Sequence, residues 1–101
     1  MGLGTILQNN KGFTLYQLTT DSSSMSSCSG GCAQTWPPLL LPKGVDRVVS
    51  DVLKGFSTIT RPGGGRQVVY RGMPLYTYAG DARPGQANGQ GIGGVWFAVR
   101  A

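Results

Sequence analysis

The sequence repeats itself, and this repeat constrains the fold more than any other feature of the chain. Residues 11–21 (KGFTLYQLTTD) align without a gap with residues 71–81 (RGMPLYTYAGD), at an offset of 60 positions. The same offset matches three pairs of rarer residues, which are Tyr16 and Tyr76, Asp21 and Asp81, and Trp36 and Trp96. Rare residues that match at one fixed offset indicate an internal duplication. Because two copies are too few for a solenoid, we expect the two halves to pack on each other around one core.

The duplication and the length together predict one small domain. A chain of 101 residues suits a single domain that buries roughly two thirds of its unfolded surface. We place the repeats at about residues 1–38 and 61–98, with a connector at about residues 39–60. No apolar run approaches the roughly 18 residues that span a bilayer. Residues 1–4 lack the cationic start and apolar region of a signal peptide, so we expect none in this sequence.

Short segments rich in β-branched and aromatic residues predict a mainly β fold built from two hairpins. The polar residues 9–12 (NNKG) favour a hairpin turn, because Asn and Gly tolerate positive φ angles. The predicted strands are residues 4–8 paired with 13–18, residues 66–70 paired with 74–78 and with 57–61, and residues 94–100. Residues 44–56 have helical periodicity and predict a short central helix between the repeats.

The two cysteines, Cys28 and Cys32, lie close together in the first repeat. The chain has no histidine, which excludes the Cys2His2 and Cys3His sets of structural zinc sites, and two thiolates alone are too few ligands. A disulfide or a free pair remains. A bridge would close a loop of about five residues and stabilise the fold by roughly 2 kcal/mol on the chain-entropy estimate. The spacing differs from the C-x-x-C of thioredoxin-type enzymes, so a structural disulfide is favoured over a redox-active pair.

The Tyr-x-x-x-x-Asp unit of the repeats admits a structural and a binding interpretation. Tyr76 and Tyr78 share one face of the predicted strand, and Asp81 follows where that strand should end. A short carboxylate in this place commonly accepts hydrogen bonds from backbone N–H groups of the turn. We therefore assign mainly structural roles to the six repeated residues, which are Tyr16, Asp21, Trp36, Tyr76, Asp81 and Trp96. Tyr78, which aligns with Leu18 of the first repeat, is the candidate for a ligand contact.

The chain is cationic, with nine Lys and Arg residues against four acidic residues and a formal net charge of +5. The basic residues are spread along the sequence and never form a run, which is typical of a solvated cationic surface. Basic and aromatic residues alternate only around Tyr70 and between Trp96 and Arg100. This pattern disfavours a nucleic-acid groove and leaves attraction to an anionic envelope polymer open.

Catalytic and metal-binding motifs are missing from the sequence. There is no histidine to act as a general base, and there is no Ser-x-x-Lys or Gly-x-Ser-x-Gly nucleophile motif. Pseudo-symmetry could bring Asp21 and Asp81 together as an acid/base pair, but no motif positions a substrate, and the scattered Asp residues do not resemble a calcium site. The glycines at 63–65 and 89–94 lack the Gly-Lys-[Ser/Thr] of a phosphate loop and predict turns. We therefore predict no enzymatic activity, no metal and no cofactor.

Two groups of residues resemble a known family. They are TLYQLTTD with CSGGCAQTWPPLLLP in the first half, and GMPLYTYAGD with PGQANGQGIGGVWFAV in the second. They are similar to the secreted repeats of bacteria and archaea, often lipoproteins, that carry a Tyr-x-[Phe/Trp/Tyr]-x-x-Asp motif. The second half matches this motif through Tyr76, Tyr78 and Asp81, whereas the first has Leu18 in the aromatic place. The resemblance implies an extracytoplasmic protein, secreted or lipid-anchored to the cell envelope, which agrees with an oxidised cysteine pair.

These observations predict a non-enzymatic extracytoplasmic module that has a binding or structural role and is stabilised by a Cys28–Cys32 disulfide. The candidate partners are an envelope polymer or another envelope protein, and association with a membrane would need a lipid anchor that we do not expect in this chain. Two alternatives stay open. One is a redox-active envelope protein that uses the cysteine pair or takes part in electron transfer, and the other is a cationic binder of polyanions or nucleic acid.

Overall fold

The computed structural model describes residues 6–9, 11–22, 26–28, 30–42, 55–61 and 65–100 of the chain. The helices and strands in these ranges are all short. In chain order they are β1 (Tyr16–Leu18), α1 (Gly31–Thr35), β2 (Phe56–Thr60), β3 (Arg66–Tyr70), β4 (Met73–Pro74), a 3₁₀ helix (Ile92–Gly94) and β5 (Trp96–Ala98). Every pairing of these strands is antiparallel, which confirms the predicted mainly β fold class.

The strands form two small sheets. One has three strands in the order β2-β3-β4, and the other pairs β1 with β5. In the second sheet Gln17 lies opposite Phe97, so the last strand of the chain returns to pair with the first. The C-terminal strand of the second repeat therefore belongs to the sheet of the first repeat.

Three backbone segments meet at one point in the first half of the fold. Leu7 donates its N–H to the carbonyl of Val99 at 2.8 Å, Val99 donates to Leu15 at 3.0 Å, and Leu15 donates to Leu7 at 3.0 Å. These three bonds close a ring, which we call the first three-way junction. Two of its segments come from the first hairpin and the third comes from the end of the chain.

A second three-way junction repeats this arrangement in the other half. Val68 donates its N–H to the carbonyl of Leu39 at 2.8 Å, Leu39 donates to Leu75 at 2.9 Å, and Leu75 donates to Val68 at 3.0 Å. Here the hairpin belongs to the second repeat and the third segment, at Leu39, comes from the first. The two repeats have therefore exchanged their C-terminal segments, and neither hairpin is completed by its own repeat.

The buried side chains form two clusters. The first cluster contains the apolar side chains of both junctions and reaches Tyr70; its buried members are Leu7, Leu15, Val68, Tyr70, Leu75 and Val99. The second cluster is aromatic and contains the repeated residues; its buried members are Tyr16, Cys28, Trp36, Tyr76, Trp96 and Ala98. Because both clusters draw on both repeats, the two halves share one core, as the duplication predicts.

The predicted strands are shortened where glycine leaves the extended conformation. The predicted strand at residues 94–100 becomes β5 at 96–98, because Gly93 and Gly94 have φ angles of 63° and 72° and belong to the 3₁₀ helix. The second predicted hairpin turns at Arg71 and Gly72, whose φ angles of 49° and 81° are both positive, as a type I′ turn requires. The partner strand of that hairpin contributes Met73–Pro74, and beyond it Tyr76 forms isolated bridges with Tyr16 and Pro38.

The helical prediction differs from the structure. Most of the predicted central helix, residues 44–54, lies outside the described residues, and the described residues that follow are not helical, since Phe56 begins β2. The described α-helix is instead α1, a single turn that contains Cys32 and ends before Trp36, and the sequence did not predict it. The backbone N–H of Trp36 bonds to the carbonyl of Cys32 at 2.8 Å and ends this turn. No helix in the described ranges is long and apolar enough to cross a membrane.

Candidate functional site

The repeated tyrosines lie at the centre of the fold, where the two halves meet. The backbone N–H of Tyr16 donates to the carbonyl of Tyr76 at 2.8 Å, and the N–H of Tyr76 donates to Tyr16 at 2.9 Å. Both residues are fully buried. This reciprocal pair is the point at which the first repeat contacts its equivalent in the second.

The tyrosine hydroxyls cross to the aspartates of the opposite repeat. The hydroxyl of Tyr16 donates to Oδ2 of Asp81 at 2.7 Å, and the hydroxyl of Tyr76 donates to Oδ2 of Asp21 at 2.5 Å. The sequence motif places each tyrosine with an aspartate of its own repeat, whereas the structure bonds it to the aspartate of the other. We call these two contacts the crossed Tyr–Asp pairs.

The second oxygen of each aspartate holds the loop that follows its own repeat motif. Oδ1 of Asp81 accepts the backbone N–H of Asn88 at 2.8 Å. Oδ1 of Asp21 accepts the N–H of Ser27 at 2.8 Å and the Ser27 hydroxyl at 2.6 Å. Each carboxylate therefore joins a loop of its own repeat to a buried tyrosine of the other.

Both aspartates stand directly after a tight turn, as expected for a carboxylate at the end of a strand. The N–H of Asp21 bonds to the carbonyl of Leu18 at 2.9 Å, and the N–H of Asp81 bonds to the carbonyl of Tyr78 at 3.0 Å. Asp81 is buried, with 7% of its surface exposed, and Asp21 is half-buried. The turn places each carboxylate within hydrogen-bond distance of the tyrosine hydroxyl of the opposite repeat.

The surroundings of the two tyrosine hydroxyls differ. The Tyr16 hydroxyl accepts the N–H of Gly89 at 3.1 Å. The Tyr76 hydroxyl instead contacts the Ser26 hydroxyl, and Ser26 accepts a hydrogen bond from the Arg61 guanidinium at 2.8 Å. In the part of the chain that the structure describes, a cationic side chain is therefore bonded on the Tyr76 side of the site and none on the Tyr16 side.

Arg61 ties the Tyr76 side of the site to the cysteine loop. Besides Ser26, its guanidinium donates to the backbone carbonyl of Cys28 at 2.7 Å and to Oε1 of Gln67 at 2.8 Å. The amide of Gln67, which is fully buried, donates to the carbonyl of Leu75 at 2.8 Å. This arginine thus connects β2 and β3 with the loop that carries Asp21's partners.

Burial and hydrogen bonding keep both tyrosines protonated. Desolvation raises the pKa of Tyr16 above its ordinary value of 10.0, and the hydrogen bond to the Asp81 carboxylate raises it further. Burial, followed by the hydrogen bond to Asp21, raises the pKa of Tyr76 in the same way. At neutral pH each tyrosine is therefore a hydrogen-bond donor to its aspartate.

The aromatic rings form a layer across the same centre. Trp36 and Trp96 stack with ring centroids 3.8 Å apart and an interplanar angle of 1°. The edge of Tyr16 meets Trp36 at 5.3 Å, and that of Tyr76 meets Trp96 at 5.0 Å. The two tryptophans thus pair across the repeats, and each packs against the tyrosine of its own repeat.

Tyr78, the candidate ligand contact, is half-buried at the margin of this layer. Its ring stacks on Trp36 with centroids 4.3 Å apart and an interplanar angle of 27°. Gly80 lies against the Tyr78 ring so closely that an added Cβ would come within 2.5 Å of it. The ring is therefore held in place by its neighbours, and its remaining surface is the part of the aromatic layer that a partner could reach.

A comparison with known protein families matches both halves of the chain. The model of a family described as a secreted repeat of unknown function matches residues 2–40 and 57–100. The chain belongs to this family. No curated protein and no solved structure matches it. The family resemblance predicted from the sequence is confirmed, and the description as secreted agrees with an extracytoplasmic protein.

The first secreted repeat contains the predicted disulfide. Cys28 and Cys32 are bonded, with sulfur atoms 2.05 Å apart, so this prediction is confirmed. Cys28 is 1% exposed and packs in the aromatic cluster, whereas Cys32 is exposed. The bridge anchors α1 and the Ser26–Ser27 segment beneath the tryptophans, next to the crossed pair of Asp21.

The second secreted repeat holds the equivalent loop without a disulfide. Gly89 takes the place of Cys28 at an offset of 61 and packs under the tryptophan of the first repeat. A Cβ on Gly89 would lie 2.6 Å from Trp36 and 3.0 Å from Tyr16. Close packing of the backbone at Gly89 holds this loop in place, as the Cys28–Cys32 disulfide holds the loop of the first repeat.

Sequence reasoning missed the residues that complete the site. They are Ser26, Ser27, Arg61, Asn88 and Gly89, and none of them matches a residue of its own type in the other repeat. The sequence signal that could have found them is a shift in the repeat alignment from an offset of 60 to one of 61 in these loops. This shift pairs Ser27 with Asn88 and Cys28 with Gly89. Within the described residues, no group of three or more His, Cys, Asp or Glu side chains could hold a metal ion.

Proposed function

We propose that this secreted repeat is a non-enzymatic extracytoplasmic module that binds an anionic polymer of the cell envelope. The observation that carries the proposal is the placement of its charges. Among the described residues, the two aspartates are the acidic side chains, and both are turned inward to hold tyrosines and loops. The exposed charged side chains of these residues are all cationic, namely Lys11, Arg66, Arg71, Arg83 and Arg100.

The cationic side chains exposed in the described ranges attract polymers of the opposite sign. Lys11 and Arg83 lie on neighbouring loops, because the N–H of Gly85 bonds to the carbonyl of Gly12 at 3.2 Å and Pro84 packs on Gly12. Spaced cations on a rigid surface suit a polymer with a repeating negative charge better than a single small anion. The half-buried ring of Tyr78 offers an apolar surface on which a sugar ring of such a polymer could pack.

The same charge placement argues against acid/base catalysis. Each carboxylate accepts hydrogen bonds on both of its oxygens, so neither has a free oxygen directed at a substrate. The tyrosines have raised pKa values and hold their protons at neutral pH, which is the opposite of what a general base needs. The polar centre of the domain therefore supports a structural role, and binding is left to the surface.

Binding to a defined polymer tests this proposal. We expect the protein to bind sodium polyphosphate and polygalacturonate at low ionic strength, and to release both as the Debye length falls from about 10 Å at 0.1 M to about 3 Å at 1 M salt. The double variant Lys11→Gln/Arg83→Gln should weaken binding, whereas Gln34→Ala, an exposed uncharged position, should not. Absence of binding to both polymers at low salt, or binding that ignores salt and both variants, contradicts the proposal.

One observation favours redox activity as a second candidate function. Cys32 is exposed and can be reached by an attacking thiolate, while its partner Cys28 is buried. The Cys28–Cys32 reduction potential separates the two functions. A potential well below about −300 mV supports a structural bridge, and a higher potential with catalytic turnover of a disulfide substrate supports redox activity.

Attachment to the envelope is the last part of the proposal. The name of the family classes it among lipoproteins, and this name is the support for a lipid anchor. Metabolic labelling of the whole gene product with a radioactive fatty acid tests it. Incorporated label would support anchoring, and a label-free protein found in the medium would support free secretion.

A further inference from the structure

Among the residues that the structure describes, the segment at residues 6–8 has backbone partners on one of its two sides. Leu7 uses its N–H and its C=O toward the first three-way junction, in bonds to Val99 and from Leu15. Because backbone groups alternate in direction along a strand, the N–H and C=O groups of Ile6 and Gln8 point to the other side. Within the described residues these groups have no backbone partner on that side. We call this side the outer edge of residues 6–8.

The second repeat contains the same edge with a strand bound to it. Val68, the equivalent of Leu7, likewise bonds to its own junction. Its neighbours Gln67 and Val69 pair on the other side with Ile59 and Ser57 of β2. The offset of 61 that relates Leu7 to Val68 relates Ile6 to Gln67 and Gln8 to Val69. The chain therefore contains its own example of what fits this edge.

We propose that the outer edge of residues 6–8 is a β-augmentation site, which takes an extended segment of a partner protein as an added antiparallel strand. The segment should have the chemistry of β2, FSTIT, which is uncharged and rich in β-branched and hydroxyl side chains. Ile6, Leu7 and Gln8 include no proline and no charge, which are two of the features that commonly protect the edge of a sheet. Gln8 is exposed, and Ile6 is half-buried against the aromatic cluster.

A partner segment fits this edge better than a second copy of the chain. The side of β2 that pairs at the equivalent edge is already bound to β3 in each copy, so a second copy would have to offer the opposite side of β2 or its own three residues 6–8. The strand that occupies the equivalent edge is five residues long. This inference is independent of the anionic polymer, since the edge is formed by backbone groups and uncharged side chains.

Amide hydrogen exchange of the full chain tests the proposal with a defined peptide. The probe is a blocked peptide with the sequence of residues 55–60 (GFSTIT), added to ¹⁵N-labelled protein. We expect saturating peptide to slow exchange of the Ile6 and Gln8 amides by about tenfold or more, because pairing protects an amide that was open to water. The amides of Gln67 and Val69 should be unchanged, since β2 already covers them.

Two variant peptides provide a matched control that leaves the fold of the protein untouched. In β2 the N–H of Ile59 faces β3 and that of Thr58 faces away, as the pairing of Ile59 with Gln67 requires. An Ile59→Pro peptide removes a donor from the new pairing and should give no protection. A Thr58→Pro peptide lacks only a donor that faces solvent, so it should still protect the Ile6 and Gln8 amides.

Three results would overturn the proposal. The first is unchanged exchange of Ile6 and Gln8 at saturating peptide, or slowing confined to Gln67 and Val69. The second is protection of Ile6 and Gln8 in the dilute protein without peptide, which would mean that another part of this chain covers the edge. The third is protection that grows with protein concentration alone, which would assign the edge to a second copy.

Discussion

The crossed Tyr–Asp pairs make a quantitative prediction about Asp81. Replacing Asp81 by Ala removes the acceptor of the buried Tyr16 hydroxyl and of the Asn88 N–H. Orphaning a buried donor costs about 1 to 3 kcal/mol, and the exposed Asn88 can turn to water, so we expect a loss of about 2 kcal/mol for Asp81→Ala. A domain of this length has a free energy of unfolding of about 5 to 15 kcal/mol, so the variant remains folded and measurable.

The sharper test is a double-mutant cycle measured by urea unfolding. Tyr16→Phe leaves one oxygen of the buried Asp81 carboxylate unpaired. Tyr16→Phe and Asp81→Ala therefore each remove the hydrogen bond between Tyr16 and Asp81. We expect their coupling energy to exceed about 1 kcal/mol, as for other directly bonded pairs. The cycle of Tyr16→Phe with Asp21→Ala joins residues of one repeat that do not bond, and it should be additive to within about 0.5 kcal/mol.

The matched control is Tyr70→Phe, which removes a buried hydroxyl that has no hydrogen-bond partner among the described residues. It should not lower the free energy of unfolding and can raise it by up to about 1 to 3 kcal/mol, because no bond is lost and an unpaired buried donor is removed. An additive Tyr16–Asp81 cycle would refute the crossed pairing. Strong coupling between Tyr16 and Asp21 would refute it as well, since it would mean that each repeat pairs its own tyrosine and aspartate.

Three further perturbations have defined outcomes. The raised pKa values of Tyr16 and Tyr76 mean that unfolding releases protons above pH 10. The free energy of unfolding should therefore fall with rising pH by up to about 1.4 kcal/mol per pH unit for each tyrosine. Free energies measured by urea unfolding should depend less steeply on pH after either Tyr→Phe change, and an unchanged pH dependence would contradict this. Gly89→Ala should lose about 1 to 3 kcal/mol by thermal melting, because the new Cβ would overlap Trp36. Gly31→Ala, which meets no atom within 4 Å, is its neutral control, and equal losses would exclude the packing argument. Reducing the Cys28–Cys32 bond should lower stability by about 2 kcal/mol, and urea midpoints that are identical with and without reductant would show that the loop is held by other contacts.

Much of the fold could be predicted from the sequence because its signals are local. The β-branched runs and turn residues indicate hairpins in both repeats, and the structure pairs Leu7 with Leu15 and Val68 with Leu75 as those hairpins require. The short cysteine spacing favours a disulfide by elimination. These inferences need only neighbours in the chain, so one sequence is enough to make them.

The exchange between repeats could not be predicted, because a duplicated sequence describes two folds equally well. The segment after Trp36 could pair with the hairpin of its own repeat or with the hairpin of the other repeat, because the two hairpins present equivalent side chains. In the structure it bonds to Leu75 and Val68 rather than to Leu15 and Leu7. For the same reason the motif could not tell whether a tyrosine bonds to the aspartate of its own repeat. The single turn of α1 was missed because it has no periodic pattern and depends on the neighbouring bridge and Trp36.

The exchange explains which residues of the two repeats match and which differ. Tyr16 and Tyr76 each pack against the other repeat, so a change in one copy must fit a partner that has not changed. The loops that follow each aspartate also reach the other repeat, but through unlike residues. Gly89 packs closely on Trp36 and donates its N–H to the Tyr16 hydroxyl, whereas the loop with the Cys28 bridge places Ser26 at the Tyr76 hydroxyl. Divergence is therefore permitted where different residues can make equivalent contacts to the same tyrosine. The surface features proposed for binding, the cations around Lys11 and the outer edge of residues 6–8, lie outside the crossed Tyr–Asp pairs, so the two halves can carry different partners on one shared core.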